Sequence, residues 1–371
     1  MRIVHVTETL VGGVLAAVAA LANAQAALGH EVRIVYARKP TVPDAAELDS
    51  RVDARVTRTE VAYRGRLTAV DALRRAVARA TRDGVDVVHL HSSFAGLAGR
   101  LSPAIRRQAD VIAYSPHGWA FLRGAGGGVV AGAADRLALA VERALTGRCD
   151  GLVLVSDSEA ELTRARLGAA PCHVLRNGIP VAHLPAATGS GRQRPVVTAS
   201  GRLMEQKAPD RFAQIARALS DRADFVWIGD GTPEERARWI GDAPVRVTGW
   251  LPHADVVAQL AASDIFLFPT RWEGMPISLM EAQVMGLPAV TTDVVGNRDV
   301  VLHGETGLVC ADVPDLTAAV AGLLDDATAR ASMAARARAV QRERLSDAEL
   351  GAASLTVYES LAEQRSADLV L

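Results

Sequence analysis

The sequence predicts an α/β protein built from two doubly wound, parallel-sheet domains. Short apolar strands alternate with longer amphipathic helical runs along the whole chain. The strands are apolar without alternation, as strands covered on both faces of a parallel sheet are. At 371 residues the chain exceeds what one core usually serves, and an aperiodic stretch, "PVAHLPAATGSGRQRP", interrupts the pattern near its middle. The expected division is residues 1–180 as a first domain, 181–195 as a linker and 196–350 as a second domain. Residues 351–371 are expected as a C-terminal helix returning to the first domain.

In the first half, strands are expected at "RIVHV" (2–6), "EVRIVYA" (31–37), "DVVHLH" (86–91), "DVIAYS" (110–115) and "GLVLVS" (151–156). "AVDALRRAVARATRDG" (69–84) reads as a helix between two of them. In the second half, strands are expected at "RPVVTAS" (194–200), "DFVWIG" (224–229), "VRVTG" (245–249), "DIFLFP" (264–269) and "PAVTTD" (288–293). The run from Leu10 to Leu28 is small and apolar, and "ANA" at 22–24 imitates a signal-cleavage site. Asn23 and Gln25 interrupt it, only Arg2 precedes it as a cation, and a strand pattern follows Gly29. The expected reading is the helix of a βαβ unit rather than an export signal or a membrane span.

Net charge is −1, which argues against a nucleic-acid binder. Residues 1–180 carry +6 and residues 181–371 carry −7, so the first half suits an anionic membrane or substrate, unless the imbalance is merely spread over solvated faces. Lysine occurs twice, at Lys39 and Lys207, against 39 arginines. Cys149, Cys172 and Cys310 form no CxxC motif, and the simplest compartment for them is a reducing cytoplasm.

Ligands of doubly wound domains bind beyond the carboxyl ends of the strands, so the chemistry is sought there. After the first strand, "TETLVGG" places Gly12 and Gly13 just before a helix, where free N–H groups favour an anion. The spacing is not GxGxxG, so a dinucleotide is not indicated. After the fourth strand comes "SPHGWAFLRGAGGGVV", in which His117 is either a hydrogen-bonding group for a reacting atom or a turn histidine. The glycines Gly126–Gly128 are either a flap or an idle loop. His89 and His91 share a strand face, without an acid or thiol to complete a metal set, and read as core histidines.

No Asp-x-Asp pair is present to hold a diphosphate through a cation. "ASGRLMEQKAPD" offers Arg202 and Lys207 instead, two cations across a strand-to-helix turn that can neutralise a diphosphate without metal. Taken alone they are also consistent with surface charges. "WIGDG", with Gly229 and Asp230, and "VTGWLPH", with Trp250 and Leu251, end two further strands and suit the edges of a base and ribose.

"RWEGMPISLMEAQVMGLP" holds two acids eight positions apart. Glu273 lies in the loop after a strand. Pro276 is expected at the first helical position, and Gly286 with Pro288 stops the helix. At about 100° per residue, Glu281 falls near 40° from Ile277, inside the apolar arc. A buried carboxylate there needs a hydrogen-bonding partner, either ribose hydroxyls or protein groups.

These motifs in order resemble the retaining glycosyltransferases of family 4, which have the GT-B fold of two Rossmann-like domains facing across a cleft. The resemblance rests on "VGG", "SPHG", "VLRNGI", "SGRLMEQKAPD", "GWLPHADV" and above all E-x7-E, "EGMPISLME". It departs from the common pattern at "AP" after Lys207, at "EGMP" and at Asp299. The resemblance implies that Arg202 and Lys207 bind the donor diphosphate and that Glu281 binds the ribose. It implies that Glu273 lies by the donor sugar, that the backbone of Gly274, Met275, Pro276 and Ile277 holds sugar or phosphate oxygens, and that His117 contacts the sugar near the reacting carbon. Gly12 and Gly13 border the phosphates and the acceptor.

The expected activity is metal-independent, retaining transfer of a hexose or N-acetylhexosamine from a nucleotide diphosphate sugar, with UDP favoured. The sugar nucleotide is a co-substrate, and no cofactor is expected. The acceptor is a polysaccharide or lipid-linked glycan intermediate, with a small natural product as the alternative, and the setting is the cytoplasm or the inner face of the plasma membrane. Outside this class stands a two-domain sugar-binding protein without catalysis.

Overall fold

The computed structural model describes residues 1–39, 42–63, 65–122, 129–168 and 170–368. The chain forms two compact units, Met1–Ile179 with Asp347–Leu371, and Pro180–Ser346.

The first unit holds a seven-stranded sheet: β1 (Arg2–Thr7), β2 (Glu31–Arg38), β3 (Thr57–Ala62), β4 (Val85–His91), β5 (Ala109–Ser115), β6 (Gly151–Leu154) and β7 (Cys172–Val174). The order is β3-β2-β1-β4-β5-β6-β7 and every pairing is parallel. The second unit holds six parallel strands: β8 (Val196–Ser200), β9 (Asp224–Ile228), β10 (Val245–Val247), β11 (Ile265–Phe268), β12 (Ala289–Thr292) and β13 (Gly307–Cys310). Their order is β10-β9-β8-β11-β12-β13. Chain direction across each sheet reverses beside its first strand, between β1 and β4 and between β8 and β11. Those switch points open a crevice at the strand carboxyl ends.

The interior strands lie where apolar runs predict them. Three strands escape the sequence reading, namely β3, β7 and β13, and all three are sheet edges. An edge strand such as "TRTEVA" is largely solvated, so it carries no continuous apolar run to signal it. Residues 180–194 belong to the second unit, where Ala187 N–H donates to the Met285 carbonyl at 2.7 Å and Thr188 N–H to that of Ala261 at 2.8 Å.

The helix Leu350–Asp368 is part of the first unit. Its Leu350, Val357, Tyr358 and Leu361 share a core with Ile3, Leu21, Val87, Val111 and Val153. Burying a leucine such as Leu361 stabilises by roughly 2 kcal/mol. The approach is close: a Cβ on Gly351 would stand 2.9 Å from the Ala24 carbonyl oxygen of helix Gly12–Ala27. Cys149 and Cys310 are buried free thiols and Cys172 is half-buried.

Candidate active site

In the second unit, β8 ends at Ser200 and the chain turns through Gly201 into a short helical turn, Glu205–Lys207. Arg202 stands exposed on this turn and Lys207 is half-buried. Lys207 Nζ lies 2.7 Å from Glu273 Oε1 and 4.9 Å from the Phe268 ring centroid. Gln206 Nε2 donates to Glu273 Oε2 at 3.3 Å and to the Trp272 carbonyl at 3.0 Å. Glu273 lies in the strand-end loop as expected, and there it is 5% exposed and held by two neighbours. Burial raises its carboxyl above the ordinary value, against the charge and hydrogen bond of Lys207.

The loop Gly274–Pro276 leads into helix Ile277–Met285. Pro276 is the N-cap, one residue before the first helical position expected for it, because its ψ of 117° is still extended. Gly286 closes the helix in the left-handed region at φ 87°. Glu281 is 9% exposed on this helix, and a protein group satisfies it: His253 Nε2 lies 2.7 Å from Glu281 Oε1. His253 begins the helix His253–Ala261, directly after Trp250, Leu251 and Pro252. Trp250 is 63% exposed.

Gly229 N–H donates to Thr248 Oγ1 at 3.1 Å, and Gly229 bridges Gly249. These contacts tie the loop carrying Asp230 to the loop carrying Trp250. Asp230 itself is engaged by Arg236 Nη2 at 2.6 Å and by Gly231 N–H at 2.8 Å. Ala208, in the "AP" that follows Lys207, adopts φ 53°, the left-handed backbone a glycine would suit. Asp299 accepts the Gly296 N–H at 3.2 Å.

In the first unit, Gly12 (φ 55°) and Gly13 open helix Gly12–Ala27 and are exposed. Beside them Lys39 forms an ion pair with the buried Glu8 and donates to Thr9 Oγ1 at 2.9 Å. Both lysines of the chain thus pair with buried glutamates past strand carboxyl ends. His117 follows β5 at φ 51°. Gly118 N–H is held by Glu159 Oε1 at 2.9 Å, whose other oxygen accepts from Val155 N–H at 3.0 Å. His117 Nε2 lies 2.9 Å from His91 Nδ1. Burial pushes the His117 imidazole down to about 4. The Gly126–Gly128 run lies outside the described residues.

The second unit thus brings together Lys207 with Glu273, and Glu281 with the loop of Trp250 and Leu251. Arg202, Gly229 and Asp230 line the neighbouring strand ends. Gln206, His253 and Glu159 were missed by sequence reasoning. His253 stands inside the quoted "GWLPH", where a histidine three residues after an exposed tryptophan was the available signal. Gln206 carries no local signal, because its partner Glu273 lies 67 residues away, whereas Glu159 stands in the Ser-x-x-Glu pattern of a helix start, which gives no hint of its contact to Gly118, 41 residues away.

Two family models match the chain: "Glycosyltransferase Family 4" over residues 11–183 and "Glycosyl transferases group 1" over residues 194–326. Glycogen synthase of Mycobacterium tuberculosis is 33% identical over 236 residues, 59% of this chain and 56% of that protein. The chain therefore aligns with little more than half of that relative's length. The Escherichia coli UDP-Gal:alpha-D-GlcNAc-diphosphoundecaprenol alpha-1,3-galactosyltransferase is 26% identical over 271 residues, 66% of this chain and 68% of that protein. Among solved structures, sucrose-phosphate synthase from Thermosynechococcus elongatus matches with a TM-score of 0.85 at 18% identity, over 97% of this chain and 99% of that one.

Proposed function

Because the chain belongs to the family 4 glycosyltransferases and shares their GT-B fold, we propose that it transfers a sugar from a nucleotide diphosphate to a glycan hydroxyl. The observation that carries the reading is the Lys207–Glu273 pair beside exposed Arg202, at the switch point between β8 and β11.

A diphosphate placed there meets two cations, Arg202 and Lys207. As the bond from the anomeric carbon to the phosphate oxygen breaks, charge collects on the leaving diphosphate and these preorganised cations stabilise it. The acceptor oxygen bonds to the anomeric carbon on the same face, and its proton passes to the departing phosphate oxygen, which gives retention. Glu273 holds Lys207 in place and lies by the sugar. The backbone of Gly274 to Ile277 supplies donors to sugar or phosphate oxygens. Glu281, oriented by His253, accepts from ribose hydroxyls, and exposed Trp250 with Leu251 flanks the base. In the first unit, exposed Gly12 and Gly13 suit an anionic group, and His117 hydrogen-bonds a sugar hydroxyl.

UDP-sugar is the proposed donor and a lipid-linked glycan the proposed acceptor, in line with the activity for which the Escherichia coli relative is named. The +6 charge of residues 1–180 suits an anionic acceptor or a membrane surface at the cytoplasmic face. Among the described residues, no helix is long and apolar enough to cross a membrane.

The test is transfer from UDP-, ADP- and GDP-sugars to glycan and lipid-diphosphate acceptors, with and without a chelator. Turnover of a UDP-sugar that survives chelation, with the anomeric configuration kept, is the expected result. Hydrolysis without transfer, or a strict metal requirement, refutes the mechanism. Binding without turnover of any donor leaves the non-catalytic sugar binder as the reading.

A further inference from the structure

Three buried histidines, His5, His89 and His91, and the partly buried His117 belong to one hydrogen-bonded network in the first unit, and the polar groups around them determine which nitrogen of each carries the proton. The assignment begins outside the rings. Ser354 Oγ donates to the Gly351 carbonyl at 2.6 Å, so it accepts from Gln25 Nε2 at 2.9 Å. The Tyr358 hydroxyl accepts from the same amide nitrogen at 3.2 Å. Gln25 Oε1 is thereby turned toward His5 Nε2, 2.8 Å away, which must be protonated.

A neutral imidazole carries one proton, so His5 Nδ1 accepts, and His91 Nε2 donates to it at 2.9 Å. By the same step His91 Nδ1 accepts from His117 Nε2 at 2.9 Å. His117 is left with an unprotonated Nδ1. His89 forms a consistent branch: Tyr358 donates to its Nδ1 at 2.8 Å, and its Nε2 donates to Ser115 Oγ at 2.8 Å. Ser115 in turn donates to the Val153 carbonyl at 2.5 Å. No donor faces a donor anywhere in the network.

Burial lowers the basicity of all four rings, His5 and His117 to about 4 and His89 and His91 well below the ordinary imidazole value, so the network is neutral near pH 7. The ring-nitrogen atoms of His5, His89 and His91 also lie within 4.8 Å of one another, the spacing of a metal-binding group. In the tautomers assigned above, the unprotonated Nδ1 atoms of His5, His89 and His91 all already accept hydrogen bonds, so the network favours protons over metal.

We infer that Gln25, His5 and His91 are positioning residues that hold His117 in its Nε2-protonated tautomer and so present Nδ1 as a hydrogen-bond acceptor to a hydroxyl of a bound sugar. The sugar contact rests on the function proposed above; the tautomer does not. The proton position on His117 is thereby set by Ser354 and Tyr358 of the C-terminal helix, more than 230 residues along the chain. A neutral acceptor also places no cation beside a carbon that becomes positively charged during transfer.

The test uses the full chain labelled with 15N-histidine. Two-bond proton–nitrogen correlation spectra report which ring nitrogen is protonated. All four histidines are expected with the proton on Nε2. A proton on Nδ1 of His117, or a metal-bound signature on His5, His89 and His91 in the purified chain, overturns the inference.

Gln25→Met removes the anchoring acceptor at similar length, and Ser354→Ala frees the amide orientation if the first variant does not fold. Either is expected to give a mixed His117 tautomer and a kcat lower by roughly tenfold, with donor KM changing less. A mixed tautomer with unchanged kcat refutes the positioning role. If the native chain transfers no sugar while the spectra show the expected tautomers, the proposed function has failed and the proton assignment stands.

Discussion

Lys207 Nζ and Glu273 Oε1, 2.7 Å apart, join the carboxyl ends of β8 and β11 across 66 residues of sequence. The pair neutralises a buried carboxylate and sets a cation where a diphosphate is proposed to bind. Removing either partner therefore has two effects that separate variants can distinguish.

Lys207→Ala leaves Glu273 buried without its countercharge. Lys207 is 19% exposed, which weakens the pair, so a stability loss of about 2 kcal/mol is expected in urea unfolding. Transfer is expected to fall by at least ~100-fold. Exposed Arg202 should behave differently: Arg202→Ala changes stability by less than about 0.5 kcal/mol while transfer falls strongly. Near-native turnover in both variants contradicts the diphosphate assignment.

Stability is expected to fall in mild acid. Burial depresses His5 in the folded chain from 6.5 to about 4, so between those values the unfolded state binds more protons. The contribution is present above pH 6.5 and is lost as pH falls, by about 2 kcal/mol at pH 5 from His5 alone. His89, His91 and His117 shift in the same direction and add to the loss. Urea denaturation at pH 7 and pH 5 measures it; equal midpoints would show the chain is not buried in its neutral form.

Gly229 has φ 124°, and a Cβ there would run into the Gly201 carbonyl at the base of the Arg202 turn. Gly229→Ala is expected to destabilise by about 3 kcal/mol and to weaken donor binding through displacement of that turn. Thermal unfolding, with and without UDP-sugar, reads both effects.

Trp250 is 63% exposed and is the second unit's candidate for stacking on the base. Trp250→Ala should leave the melting temperature within a degree or so, because little is lost from the core. Donor Kd by calorimetry is expected to rise roughly tenfold. An unchanged Kd removes Trp250 from the proposed base site.

The interior strands, the βαβ start at Gly12, the helix stop at Gly286 and the burial of Glu281 were all legible in the sequence. Each follows from a pattern within about twenty residues: apolar runs, turn residues, or the angular position of one side chain on a helix. The edge strands β3, β7 and β13 were not legible: β3 is largely polar, and β7 and β13 are only three and four residues long. Nor were the partners. Glu281 was readable as a carboxylate in need of hydrogen bonds, but His253 as their source was not.

By itself the sequence determined where strands and helices form and which acids end up near strand ends or on a buried face. The tertiary structure decided who meets whom. It paired Lys207 with Glu273, threaded His5, His91 and His117 into one chain, and brought Ser354 and Tyr358 to Gln25. The physical reason is range. Periodicity and turn chemistry act over a few residues, whereas the neighbour that satisfies a buried polar group depends on strand order and on where a distant helix packs.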